Sequence, residues 1–321
     1  MKPGTPNTDS GTPSASILHY LLLSPLGSWG LGDTYRARDT QYGRTVALRL
    51  AADHAFADDE ERQAFLADAR AAAALSHPNI ATLFDVGTYE GGCYLAYEFA
   101  AGLTLRHEMS GGAVNPRRAL ELAMQLADAL ADLHAHDLAH GDIRPETVMV
   151  THKGSAKVLE AGMMRWTRGG RMRIGAAADF DPLGEAPGLS AYMAPEQRMG
   201  QPIDARTDVF SLGVLLYEML AGSHPFAGAA APLRLREPAA SPALAAAVAR
   251  ALEFDPDVRY QSMAAFSADL RHAFAALESR EGRVEPKELL PVEDDEGTGG
   301  KWWLAAAGAA AVAALAWWML R

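Results

Sequence analysis

The sequence predicts an α+β chain of two lobes, a small β-rich N-lobe followed by a larger helical C-lobe, with one C-terminal transmembrane helix beyond them. Three observations carry this. Short β-like segments surround a single helix in the first third of the chain, apolar stripes at helical spacing dominate the region after it, and Trp302 to Leu320 is nineteen residues without a charge.

Residues 1–17 are rich in Pro, Thr, Ser and Gly and hold almost nothing to bury, so a disordered tail is expected there. The N-lobe, residues 18–99, has β-like segments at Tyr20 to Leu26, Asp33 to Ala37, Thr45 to Leu50, Thr82 to Val86 and Tyr94 to Glu98. Its helix starts at Asp58-Asp59-Glu60-Glu61, where acidic residues suit a helix N-terminus, and Phe65, Ala69, Ala72 and Leu75 recur on the face turned to the sheet. In the C-lobe, residues 100–280, Leu122, Leu126, Leu130 and Leu133 line one helix face. Val209 to Leu220 is apolar nearly all round, as a buried central helix must be. Residues 281–301 form an acidic linker containing Glu293-Asp294-Asp295-Glu296 and a Gly-rich end. The run 302–320 would span about 28 Å as a helix, one bilayer crossing. Trp302 and Trp303 at one end and Trp317 and Trp318 at the other place indoles where the two membrane interfaces would lie. Ala305, Ala309 and Ala313 put small residues at four-residue spacing, a surface on which two spans could pair as a homodimer.

Net charge of −11, from 29 basic and 40 acidic residues in 321, gives no field for gripping nucleic acid. The lone Cys93 excludes an internal disulfide and suits a reducing cytosol, and the ten histidines form no ligand cluster.

The chemistry concentrates in His140-Gly141-Asp142-Ile143-Arg144-Pro145-Glu146-Thr147, followed after a short strand by Glu160-Ala161-Gly162. Further landmarks come in order. Leu26-Gly27-Ser28-Trp29-Gly30-Leu31-Gly32-Asp33-Thr34-Tyr35 is a glycine-rich loop, and Val46-Ala47-Leu48-Arg49 is a strand ending in a cation. Asp68 precedes Leu75-Ser76-His77-Pro78-Asn79-Ile80, and Tyr97-Glu98-Phe99-Ala100 separates the lobes. Ala191-Tyr192-Met193-Ala194-Pro195-Glu196, Asp208 with Ser211-Leu212-Gly213, and Asp257-Val258-Arg259-Tyr260 complete the series. Over roughly residues 18 to 278 this order resembles the eukaryotic-type Ser/Thr protein kinases, a family also found in bacteria as membrane-anchored enzymes. The resemblance implies the two-lobed protein-kinase-like fold and a cytoplasmic kinase-like domain on a single-pass anchor in the inner, or cytoplasmic, membrane. It also implies a Glu196–Arg259 pair and protein substrates or partners. Adenine would lie against Ala47 and Met149 with its edge on backbone at Glu98 and Ala100, and phosphates would lie under Gly27, Gly30, Gly32 and Thr34.

Several working parts of that family are exchanged here. Asp142 keeps the position that orients the substrate hydroxyl, and Arg144 stands where a phosphate-contacting lysine is usual. Arg49 replaces the nucleotide-binding lysine and Asp68 the glutamate that pairs with it, so the resemblance implies an Arg49–Asp68 bridge with charge kept and shape altered. Glu160 and Thr147 replace the two metal ligands. Glutamate is one methylene longer than aspartate, a hydroxyl is a poorer Mg²⁺ ligand than a carbonyl, and Mg²⁺ demands near-ideal geometry. Trp29 replaces a loop glycine, and Gly141 removes the arginine that receives an activation-segment phosphate in many relatives. Ala161 and Ala72 leave a packing column underfilled unless neighbours collapse into it. Arg165, Arg168, Arg171 and Arg173 offer an acidic partner a basic segment. The leading expectation is a kinase homologue with catalysis lost or strongly weakened, a pseudokinase that scaffolds partners and holds nucleotide without metal, or none. The alternative is an active protein Ser/Thr kinase using ATP and Mg²⁺ through these non-standard ligands.

Overall fold

In the computed structural model, residues 15–29, 32–163, 166, 191–227, 232–236 and 240–281 are described. The chain divides into a unit ending at Leu277 and a second beginning at Glu278, whose described residues are the end of the last helix. The first unit opens with β1 (Ser16–Ile17), β2 (Tyr20–Trp29), β3 (Gly32–Asp39) and β4 (Arg44–Ala52). Helix α1 (Asp59–Ala72), β5 (Leu83–Tyr89) and β6 (Gly92–Glu98) follow. The six strands make one antiparallel sheet in the order β1-β2-β3-β4-β6-β5. Ser16 and Ile17 pair with β2, so the sheet takes in the last two residues expected in the tail.

Period two along β4 sorts its side chains. Val46 and Leu48 join Tyr20, Ala37, Tyr94 and Ala96 on one face, and Ala51 joins Phe65, Leu66, Ala69 and Ala72 of α1 on the other. The same alternation gives Arg49 to the α1 face. The Asp58 carboxylate caps α1 by accepting from the Glu61 amide at 2.8 Å, and three acids fill the first turn. Gly32 lies against β4 so closely that a Cβ there would stand 1.8 Å from the Leu50 carbonyl oxygen. Its lack of a side chain is demanded by the sheet as much as by any phosphate.

Beyond the linking segment come β7 (Gly102–Thr104), α2 (Leu105–Glu108) and α3 (Pro116–Ala135), then β8 (Val148–Thr151) and β9 (Ala156–Val158). The three strands form a small second sheet, too short for sequence periodicity to resolve fully. Helices α4 (Pro195–Arg198), α5 (Ala205–Ala221), α6 (Leu233–Arg236), α7 (Pro242–Ala251) and α8 (Met263–Glu281) complete the C-lobe. Asn115 caps α3 and Asp204 caps α5, and Gly222 ends α5 in the left-handed region at φ 66°. Leu122, Leu126, Leu130 and Leu133 of α3 pack with Val209 to Leu220 of α5 in one large core, as their spacing predicts.

Glu281, expected to open the linker, is the last residue of α8. The rest of the linker, the run 302–320, Gly30, and the segment carrying Arg165, Arg168, Arg171 and Arg173 lie outside the described residues. Among the described residues no helix is long and apolar enough to cross a membrane.

Candidate functional site

A cleft of about 410 Å³ lies between the two sheets. Leu26, Thr34, Ala47 and Arg49 line it from β2, β3 and β4, and Tyr97, Glu98, Phe99 and Ala100 from the crossing between lobes. Met149, Leu159 and Glu160 line it from the C-lobe side. The outer end is apolar and the inner end carries the charges. Gly27, expected beside phosphates, is not among the lining residues, and its neighbour Leu26 takes that place.

Below the cleft, the loop containing Asp142 hangs from one buried carboxylate. Asp208, on the first turn of α5, accepts from the amides of His140 at 2.8 Å and Gly141 at 2.6 Å and bonds His134 Nε2 at 2.8 Å. The Gly141 carbonyl accepts from Gln197 Nε2 at 2.7 Å. Gly141 itself has φ 67°, a conformation an L side chain would strain. Asp142 is buried, and its carboxylate accepts from Arg144 Nε at 3.1 Å while Arg144 Nη1 donates to Glu146 at 3.1 Å. The Thr147 hydroxyl donates to the Asp142 carbonyl at 2.7 Å and accepts from the Arg144 amide at 3.1 Å. Thr147 is thus engaged with the loop backbone on both its donor and acceptor sides.

At the inner end, Arg49 is 4% exposed and its Nη2 pairs with the Glu160 carboxylate, while its Nε donates to Thr34 Oγ1 at 3.3 Å. The expected Arg49–Asp68 bridge is therefore corrected. Asp68 instead accepts from Trp166 Nε1 at 2.8 Å. The physical reason is competition: one guanidinium faces two carboxylates, and an indole N–H satisfies one of them. Glu160 sits at φ 58°, in the left-handed region that non-glycine residues seldom enter. The packing column read as underfilled is closed by collapse. Gly162, at φ 78°, lies so near that a Cβ would come within 3.1 Å of Ala72 Cβ, and Trp166 and Met163 fill the cluster beneath α1.

Burial, and then the charge of Glu160, push the Tyr97 hydroxyl well above its ordinary range, so it stays protonated. That hydroxyl is buried with no hydrogen-bond partner among the described residues. An orphaned buried hydroxyl costs about 1–3 kcal/mol. Tyr97→Phe is therefore expected to raise stability by about 1 kcal/mol, read as an upward shift of the denaturant midpoint with unchanged slope.

A family model described as the protein kinase domain matches residues 20–263, and PknB of Mycolicibacterium smegmatis, a Ser/Thr protein kinase, is 33% identical over 281 residues. The chain belongs to the bacterial Ser/Thr protein kinase family. That match covers 81% of this kinase-family chain and 43% of PknB. The Ser/Thr protein kinase PrkC of Bacillus subtilis is 28% identical over 293 residues, covering 87% of this chain and 43% of PrkC. The chain spans less than half the length of these curated relatives. The crystal structure of the Mycobacterium tuberculosis PknI kinase domain superposes with a TM-score of 0.64 at 22% identity, covering 81% of this chain and 97% of that one, a likeness of fold.

The family generally uses ATP and Mg²⁺, and the residues here fit the two unequally. The outer cleft, walled by Leu26, Ala47, Met149 and Leu159 beside backbone at Glu98 and Ala100, suits a flat purine. The metal end does not fit in this arrangement. Glu160 is held by Arg49, Thr147 is engaged with backbone, and among the described residues no group of three His, Cys, Asp or Glu is placed to hold an ion.

Sequence reasoning missed three participants. Trp166 has no periodic signal, since it follows the Glu160 motif by only a few residues. His134 reaches Asp208 from α3 across the fold. Arg106 on α2 gathers Glu146 at 2.7 Å, Glu218 at 3.0 Å and the Tyr192 hydroxyl at 2.7 Å. Burial would raise the Glu146 carboxyl, but Arg106 outweighs it and holds Glu146 below its ordinary range.

Proposed function

We propose that this kinase homologue is a membrane-anchored signalling protein with phosphoryl transfer lost or strongly weakened, working as a pseudokinase that binds protein partners. The observation that carries the reading is the Arg49–Glu160 pair. It joins the residue that would orient phosphates to the residue that would hold the metal. Asp142 likewise faces Arg144, so charges needed by a substrate are balanced within the protein. If each exchanged element costs about 100-fold, two correspond to roughly 5–6 kcal/mol of transition-state stabilisation. Adenine nucleotide remains a fitting ligand for the outer cleft, through contacts that need no metal.

A second reading, an active Ser/Thr kinase, is favoured by one observation: the Asp142 loop is fully assembled on Asp208. Denaturation midpoints of the purified full chain separate the two. Equal stabilisation by ATP with Mg²⁺ and ATP with EDTA supports the first reading, and a large Mg²⁺-dependent increment supports the second. The proposed location is the cytoplasmic membrane, through residues 302–320, with the kinase-like domain in the cytoplasm. Sedimentation with membranes that deletion of those residues abolishes is the expected result. Full-length chain remaining in the supernatant would remove the anchor from the account.

A further inference from the structure

We infer that Trp166 is a positioning residue that sets which carboxylate holds Arg49: with its indole on Asp68 the guanidinium is left to Glu160, and its withdrawal gives Arg49 to Asp68 and releases Glu160 toward the cleft. This rests on the reading of a self-paired, weakened transfer centre and adds what keeps it self-paired.

Trp166 is 3% exposed and held from two sides. Its ring meets Phe65 edge-on at 5.3 Å and Phe56 at 6.3 Å, within the cluster under α1. Its N–H is directed to Asp68, the α1 carboxylate that corresponds in the family resemblance to the partner of the β4 cation. The plug is thus apolar where it meets α1 and polar at the one atom that competes with Arg49.

The alternative pairing has features ready for it. Arg49 and the buried face of α1 share one side of the sheet. Glu160 occupies a left-handed backbone conformation that a released residue can leave. The Tyr97 hydroxyl, unbonded among the described residues and within the influence of Glu160, gains a candidate acceptor once Arg49 departs. Two discrete partners for one buried cation make a bistable element rather than a graded one.

The test is isothermal titration of the full chain with ATP, once with Mg²⁺ and once with EDTA. Wild type, Trp166→Ala, Trp166→Phe, Asp68→Ala and the Trp166→Ala/Asp68→Ala double variant are compared. Trp166→Ala is expected to gain about tenfold in affinity with Mg²⁺ and little with EDTA, within the usual range for coupling between sites. Trp166→Phe keeps the ring and lacks the N–H, so it gains in the same direction by less. The double variant, with no second carboxylate for Arg49, shows no gain. An unchanged Mg²⁺ increment in the single Trp166 variants overturns the inference, and so does a gain that survives Asp68→Ala. Should Trp166→Ala fail to fold, Trp166→Phe decides alone by the presence or absence of its gain. Label transfer by wild type would defeat the weakened-catalysis reading instead, so the two failures are distinct.

Discussion

Arg259→Ala is expected to destabilise the chain by about 3–5 kcal/mol, a large share of the stability of an ordinary domain. Arg259 is fully buried and grips Glu196 with two parallel bonds, Nη1 to Oε1 at 2.9 Å and Nη2 to Oε2 at 3.1 Å. Its remaining donors reach the carbonyls of Glu253 at 3.0 Å and Arg206 at 2.6 Å, and Thr207 donates to Glu196 at 3.0 Å. Such a pair stabilises little relative to an apolar replacement of both members. Removing one member leaves a buried carboxylate and several carbonyls unsatisfied. Its acid response follows. Burial would raise the Glu196 carboxyl, but the hydrogen bond and charge of Arg259 overcome it and hold the folded value below the ordinary one. The group therefore contributes stability that is complete above the ordinary carboxylate value, about pH 4.3, and is lost as pH falls through the lower folded value. In Arg259→Ala burial acts alone, so Glu196 opposes folding as pH rises and that acid-side loss disappears. Urea titrations of both proteins across the acid range read both effects.

Glu160→Ala is expected to cost about 3 kcal/mol despite removing a residue from a strained backbone position. Arg49 and Glu160 are both largely shielded from water, so screening does little to soften the loss of the pair. The Thr34 bond alone does not compensate a guanidinium in that setting. Arg49→Ala leaves Glu160 in the complementary position. The double variant should then be less destabilised than the sum of the singles, with a coupling of about 1–3 kcal/mol. Additive costs would mean that the two side chains do not depend on one another.

The fold was legible because its signals are local and repeated. Leu122, Leu126, Leu130 and Leu133 mark one face of α3, Asp58 with its following acids marks the start of α1, and the order of motifs places Glu196 opposite Arg259. The contents of the cleft were legible in part: Thr34, Ala47, Arg49, Glu98, Ala100, Met149 and Glu160 do line it. Which charge meets which was not. Strand alternation tells the face on which Arg49 stands, but a guanidinium within reach of two carboxylates chooses by geometry and by what else satisfies each. Here the deciding group is Trp166, whose position a linear pattern does not give. Thr147 likewise reads as a metal ligand from its place in the motif, and only its hydrogen bonds show the hydroxyl engaged with its own loop.

Incubating the purified full-length chain with γ-labelled ATP, Mg²⁺ and a generic protein substrate, alongside Asp142→Asn, measures the central claim directly. The pairing of Arg49 with Glu160 predicts no label on the chain or the substrate above that seen with Asp142→Asn. Label transfer by wild type that Asp142→Asn abolishes would contradict it and make the chain an active kinase.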